Sequence, residues 1–267
     1  GHSNVMDFIE IATTGDATDF GGLSERRYNV SGCGSATRGV FMGGQGTPSA
    51  LFNTIDYVTI SSGGGANDFG DLIDLGGTIN DLMQSGAVTS NDTRGLYMGG
   101  FTPIGGSNSI TIATTGDASD FGDITVYSQG SQACASPTRA VRGAGAGNPA
   151  NQRVMDFVTI ATTGDAINFG ELASISGLFP ASLSSTTRGI FAGGSTPTKL
   201  NTIEFITIAT LGNATNFGDL TVITYGAAGS SNQVRGVIGG GGNPSGDRND
   251  IDFITIASAG DATDFGD

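Results

Sequence analysis

Few residues in this chain have the types and spacing to do chemistry. The single histidine, His2, lies in a Gly-His-Ser start that reads as a tag remnant over residues 1–3. No imidazole is therefore at hand for a triad, a zinc site or general acid–base work. The segment Gly260 to Asp267 (Gly-Asp-Ala-Thr-Asp-Phe-Gly-Asp) puts three carboxylates within seven residues, as a calcium loop would. Its copies vary, however. Gly65 stands for the first Asp, Asn168 and Asn216 for the second, and Gly22 for the third. Asp and Asn also close turns through their side chains, and no EF-hand spacing is present, so these segments read as turns. Carboxylate pairs can hydrolyse glycosides, but the only pairs outside repeated turns are Asp74 with Asp81 and Asp247 with Asp250. Serines and threonines abound without a nucleophile elbow or a base. The Gly-Gly doublets are followed by no Gly-Lys-Ser/Thr and no helix, so they are not phosphate loops. The expectation is a protein that is not an enzyme and needs no metal or cofactor.

Composition narrows the rest. The chain has 267 residues, 37% hydrophobic and 13% charged, with 46 glycines and 7 prolines. That is too apolar for a disordered acidic chain and too weakly charged for a coiled coil. Eleven basic residues against 25 acidic ones give a net charge of −14, which repels phosphate backbones and anionic lipid. Nucleic acid and membrane are therefore not expected partners, and no apolar run reaches the ~20 residues of a membrane span.

Self-comparison supplies the architecture. An Asp/Asn-Phe-Gly segment recurs with Phe20, Phe69, Phe121, Phe169, Phe217 and Phe265, a repeat of the length that builds solenoids and propellers. Each copy follows an apolar run such as Ile203 to Ile208. Between copies stands an Arg-Gly element ending in glycines, as in Thr187 to Gly194. The runs are short, β-branched or aromatic, and bounded by Gly, Asn, Asp and Ser, which reads as strand. In the first full unit, strands are expected over about 30–36, 39–43, 54–60 and 66–72. Phe253-Ile254-Thr255-Ile256-Ala257 carries almost no polar alternation, so both faces of such a strand are covered. Four strands per repeat make a propeller blade.

An Arg, a strand ending in Gly-Gly, a variable loop, then a strand and an aromatic-centred strand resembles the kelch-type β-propeller repeat. The wording "TIATTGDATDFGD" and "STTRGIFAGG" is also similar to repeat proteins of marine bacteriophages. Phe replaces the kelch Trp throughout, the kelch Tyr is missing, and the third repeat has Gly143-Ala144-Gly145 in place of the doublet. The resemblance implies an all-β propeller over residues 4–267, six blade positions with one incomplete, or alternatively five. Both ends carry the same two strands, so joining the termini in one blade does not close the ring simply.

A residue repeated in every blade maintains the blade, whereas a site is asymmetric. Arg38, Arg94, Arg139, Arg188 and Arg235 are accordingly read as structural, like the Phe series. Their expected partners are backbone carbonyls or the recurring acids Asp7, Asp56, Asp156, Glu204 and Asp252. Cys33 and Cys134 occupy equivalent places two blades apart, beyond disulfide reach, and read as small apolar fillers. The second-to-third-strand loops (45–53, 101–108, 146–153, 195–201 and 241–250) and the fourth-to-first connections (longest 72–85) differ between repeats and open on one face. Candidate ligand-binding residues there are Gln45, Phe52, Phe101, Asn148, Arg153, Lys199, Asn243 and Arg248, beside Gln152 and Asn249. The expected role is a binding or structural module, extracellular or virion-associated, such as a phage tail-fibre part or adhesin recognising glycan or protein. The alternatives are a propeller-fold glycosidase or lyase and an intracellular kelch-like scaffold.

Overall fold

Short strands interrupted by Gly, Asn and Asp cannot pack as helices, and none forms among the described residues. A computed structural model describes residues 3–47, 50–75, 85–100, 105–147, 152–175, 177–195 and 198–267. Within these lie five antiparallel four-stranded blades, each in simple consecutive order. Blade 1 comprises Ser31–Gly34, Arg38–Met42, Thr54–Thr59 and Asn67–Asp71. Blade 2 comprises Ala87–Ser90, Arg94–Met98, Gly106–Thr111 and Ser119–Asp123. Blade 3 comprises Gln132–Ala135, Arg139–Gly143, Val154–Thr159 and Ile167–Glu171. Blade 4 comprises Ala181–Ser184, Arg188–Ala192, Thr202–Thr207 and Thr215–Asp219, and blade 5 comprises Ala228–Ser231, Arg235–Gly239, Ile251–Thr255 and Thr263–Gly266. The blade count is five, the alternative in the sequence reading. Ser3–Phe8 and Thr18–Arg27 form a separate two-stranded hairpin.

The repeated Phe is the extra residue of a β-bulge. In blade 3, Asp156 opposes Asn168 and Met155 opposes Gly170, so Phe169 has no cross-strand partner and turns into the core. Phe69, Phe121, Phe169, Phe217 and Phe265 are all buried. Four of them meet a third-strand aromatic edge-to-face at about 6 Å, Phe169 against Phe157 at 6.1 Å. Phe20, in the hairpin, is only half-buried against Phe8.

Each bulge ends in a glycine that presses on its neighbour. A Cβ on Gly122 (φ +136°) would lie 2.5 Å from the carbonyl of Gly164 in the next blade. Gly70 meets Gly116, Gly170 meets Gly212 and Gly218 meets Gly260 in the same way. Two backbone bonds accompany each contact; Gly116 N–H donates to Phe69 O at 2.7 Å and Ala118 N–H to Asp71 O at 2.8 Å. The hairpin is held identically on both sides. Gly15 N–H donates to Phe265 O at 3.1 Å in blade 5, and Gly64 N–H of blade 1 donates to Phe20 O at 2.8 Å. The hairpin therefore lies between blades 5 and 1.

The repeated arginines bond carbonyls, and here the acid part of the expectation is corrected. Arg38, Arg94, Arg139 and Arg188 each donate from Nη1 to the carbonyl of Ile112, Ile160, Ile208 or Ile256 in the following blade, at 2.7–2.9 Å. Arg235 reaches Ile11 of the hairpin at 3.2 Å. Four of the five guanidinia also cover a third-strand ring of their own blade at 4.3–4.5 Å, whereas Arg94 lies 5.7 Å from Phe121. The acids sit further along the third strand and take a different partner. Asp156 accepts from Thr125 N–H at 2.9 Å and Thr125 Oγ1 at 2.8 Å, just past the fourth strand of blade 2. Asp56 does the same with Ser24, Glu204 with Ala173 and Ser174, and Asp252 with Thr221. In blade 2 the equivalent residue is Asn108, whose Oδ1 accepts from Ile73 N–H at 3.0 Å.

Two of these buried acids also hold an arginine outside the repeated series. Arg142 grips both oxygens of Asp156, at 2.9 Å from Nε and 2.8 Å from Nη2. Arg27, reaching in from the hairpin, pairs with Asp56, although Arg27 Nε and Asp56 Oδ1 have no hydrogen-bond partner. Blade 2 carries Tyr97 opposite Asn108 where blade 3 carries Arg142 opposite Asp156, which is the neutral version of the same pair.

Two outcomes follow from this packing. Phe169→Ala costs about 3–5 kcal/mol in denaturant unfolding, as a buried aromatic lost from a close-packed core; an unchanged midpoint contradicts the bulge register. Arg142→Met costs about 3–5 kcal/mol by stranding Asp156. The double change Arg142→Tyr, Asp156→Asn copies blade 2 and costs less than Arg142→Met alone. A larger loss in the double variant refutes the equivalence.

Candidate binding face

The variable face is built from two sets of segments that pair with each other. In blade 1, Tyr28 and Gln45 exchange backbone bonds at 2.9 and 2.8 Å, so the connection into the blade runs antiparallel to the second-to-third-strand loop. Ser128–Gln129 pairs likewise with Ala146–Gly147, Leu178 with Ser195, and Tyr225 with Gly242. The two sets thus share one face, as the strand order requires, and the rim is tied down by bridges.

After each of these connections the chain turns through a left-handed residue into the innermost strand. The five positions are Asn29, Ser85, Gly130, Phe179 and Gly226, with φ between 54° and 70°. They bond one another from blade to blade; Gly130 N–H donates to Ser85 O at 3.0 Å, Phe179 N–H to Gly130 O at 2.8 Å and Gly226 N–H to Phe179 O at 2.9 Å. Phe179 holds this conformation without being glycine, at a cost on the order of 1 kcal/mol. Its half-buried ring lies over Gly130.

Six of the eight candidate ligand residues are described, and their polar groups are largely engaged. Gln45 accepts a side-chain bond from the Tyr28 hydroxyl. Arg153 is exposed and bonds Ala173 O at 2.6 Å while lying 3.4 Å from Glu171. Lys199 places Nζ 3.9 Å from the centre of the Tyr225 ring. Arg248 pairs with Asp250, and Asn243 Oδ1 accepts from Ser245 N–H at 2.7 Å. Phe52 is half-buried with its ring over Gly46. Phe101, Asn148 and Asp81 lie outside the described residues. The six share a face but belong to four different blades, so they form no single cluster.

Sequence reading missed four aromatics on this face. Tyr28, Tyr127, Phe179 and Tyr225 each occupy a fourth-to-first connection, and each is half-buried or partly exposed. An aromatic six to ten residues after the repeated Phe was the available signal. The unequal lengths of the connections hid it from a search at fixed period.

On the opposite face, the turns carrying the repeated Arg leave an open recess between blades 4 and 5. Its volume is about 490 Å³, lined by Ser185, Thr186, Thr187, Arg188, Gln233 and Ala257. Among the described residues no three His, Cys, Asp or Glu side chains converge to hold a metal ion. The acidic turns do structural work instead. Asp117, Asp165, Asp261 and Asp16 each accept, at 3.0–3.2 Å, the N–H of the residue that ends the preceding fourth strand or, for Asp16, directly follows it; Asn213 does so equally at 3.0 Å. A neutral amide performs the same task, so the turn does not require charge. Cys33 and Cys134 are free thiols, each packed against a glycine of the next blade, Gly95 or Gly189, and burial pushes both up to about 12.

The arrangement is that of a β-propeller. No family model matches the sequence, and no curated protein matches it. Among solved structures the chain is similar to one described as "Structure of YjhT", with a TM-score of 0.73 and 12% identity over 98% of this chain and 97% of that one. At that identity the likeness establishes the propeller fold.

The acidic turns generate a pH-dependent outcome. Partial desolvation raises the Asp71 carboxyl above its usual range, and Asp117 and Asp68 add repulsion. The folded state thus binds this proton more tightly than the unfolded chain. The contribution turns unfavourable as pH rises through the carboxylate range and is fully unfavourable at neutrality. Asp117→Asn removes one repulsion and keeps an acceptor for Asp71 N–H, as Asn213 shows. Its thermal midpoint exceeds the parent's near neutral pH, and the gain fades toward about pH 3. A gain that grows on acidification refutes the assignment.

Proposed function

We propose that this chain is a non-enzymatic binding module, a kelch-like propeller that recognises a glycan or protein through its variable face. One observation carries the reading: the surface that differs between blades is also the one that holds Tyr28, Tyr127, Phe179 and Tyr225. Aromatic rings give large contact area at little entropic cost and stack on sugar faces, and the hydroxyl of a tyrosine adds directionality. Phe52 on the neighbouring loop extends the apolar area, and Lys199, already over Tyr225, adds a cation beside a ring. The repeated arginines and the buried acids Asp56, Asp156, Glu204 and Asp252 are occupied in holding the ring together, which leaves recognition to residues that are not repeated. The phage-like repeat wording and the acidic, glycine-rich composition fit a surface-displayed or virion-associated role, in a tail fibre or adhesin. Weak sites on several copies of such a particle combine into firm attachment.

Adsorption of the soluble protein to candidate host cells and an immobilised glycan panel tests this. A Tyr28→Ala, Tyr225→Ala variant that stays folded binds at least tenfold less than the parent, while a variant altered at Thr186 in the opposite recess binds normally. Equal binding by the parent and the aromatic variant, or turnover of any panel glycan, overturns the proposal.

A further inference from the structure

The junction between the hairpin and blade 1 lacks what every other junction has. Elsewhere, a second-strand Arg donates to the carbonyl of an isoleucine across the junction, which is sealed between full blades and half-buried at Ile11 of the hairpin. Ile112, Ile160, Ile208 and Ile256 are at most 1% exposed, but Ile60, in the same position on blade 1, is 49% exposed. No guanidinium among the described residues reaches the Ile60 carbonyl. On the hairpin side, Phe8 corresponds to Tyr57, Phe157, Phe205 and Phe253, the rings covered by Arg38, Arg139, Arg188 and Arg235. Among the described residues no guanidinium covers Phe8, which is 44% exposed; Val5 of the same strand is 61% exposed.

The inner walls agree. No residue is exposed in the innermost strands of blades 2, 3 and 4, whereas Ala228 and Ser230 of blade 5 and Gly32 of blade 1 are exposed. Phe41 of blade 1 is half-exposed where Tyr97, Arg142, Phe191 and Ile238 are buried. The hairpin strand Ser3–Phe8 pairs with Thr18–Arg27 on one edge, and on the other edge no strand pairs with it among the described residues.

We propose that this slot is a β-augmentation site for a strand pair of the repeat's own first-and-second-strand type, carried on polypeptide outside residues 4–267. The five filled positions show what fits. The incoming second strand pairs with the free edge of Ser3–Phe8, its Arg covers Phe8 and donates to Ile60 O, and its first strand covers Ala228, Ser230 and Gly32. Charge favours the same occupant: opposite the incoming Arg stands Glu10, where the full blades have Thr59, Thr111, Thr159, Thr207 or Thr255. A second copy of this chain is a poor donor, because its own strand pairs are already inside blades.

A labelled peptide spanning residues 180–194, which holds the first two strands of blade 4 and Arg188, probes the slot by fluorescence anisotropy. Saturable binding at one site is expected, at least tenfold weaker for the peptide carrying Arg188→Ala and for the Phe8→Ala protein. Because a free peptide must order itself to bind, a tethered form gives an independent measurement. A second copy of residues 180–200 fused ahead of Asn4 matches the spacing of blade 4, and is expected to raise the melting temperature and slow amide exchange over residues 5–9. A fusion with neither effect overturns the proposal. So does peptide binding indifferent to both Arg188 and Phe8, or a dimer that the peptide does not dissociate.

Discussion

A glycine α-carbon lying against a glycine carbonyl fixes how closely each blade approaches the next. At Gly122 and Gly164 the space left for a side chain is nil, and the same holds at Gly70 with Gly116, Gly170 with Gly212 and Gly218 with Gly260. This contact sets the position of the bulge, and the bulge frees the preceding Phe from its cross-strand partner and turns it inward. The hydrophobic core of each interface thus depends on two backbones being able to touch. The high glycine content is therefore a packing requirement spread over the ring, not a sign of looseness.

The charged residues complete the same junctions and show how an acidic protein tolerates its charge. Burying Asp56, Asp156, Glu204 and Asp252 is costly unless each is fully hydrogen-bonded. Each is met by an N–H and a hydroxyl from the end of the preceding blade or, for Asp56, from Ser24 of the hairpin, so much of the cost is offset by bonds that also fix the spacing, although Asp56 Oδ1 has no partner. That blade 2 does the job with Asn108 shows geometry to be the requirement and charge an option. The repeated arginines avoid the acids because their turn lies at the far end of the third strand, level with the isoleucine carbonyl rather than with the carboxylate.

Most of this architecture was legible because it repeats. Strand boundaries came within a residue or two, since Gly and Asx punctuate each run and Phe marks the fourth strand. The Arg–acid pairing was misread because a repeat reveals that two residues recur but not which depth of the blade each occupies. The number of blades was hard for a related reason: the hairpin copies the outer half of a blade in sequence without being a four-stranded sheet. The candidate binding face was least legible. Its aromatics sit in connections of unequal length, and Phe179 holds a left-handed conformation that no propensity would assign to phenylalanine.

That strained phenylalanine bears on where function can reside. Blades 3 and 5 use glycine at this place, so a cheaper residue is available within the same protein. The backbone ladder through Phe179 forms with either residue, since Gly130 and Gly226 make the same bonds. The ring is therefore not needed for the ladder, and nothing in the ladder compensates the strain it imposes. A side chain kept at a cost, on the one surface that varies, is what selection for contact with something outside the ring would leave. The repeated turns show the opposite economy, in which the guanidinia of Arg38, Arg94, Arg139 and Arg188 are engaged by the carbonyls of the next blade. Stability and sequence variation are thus separated in this propeller by position along the blade, with the periodic contacts free to stay constant while the connections diverge.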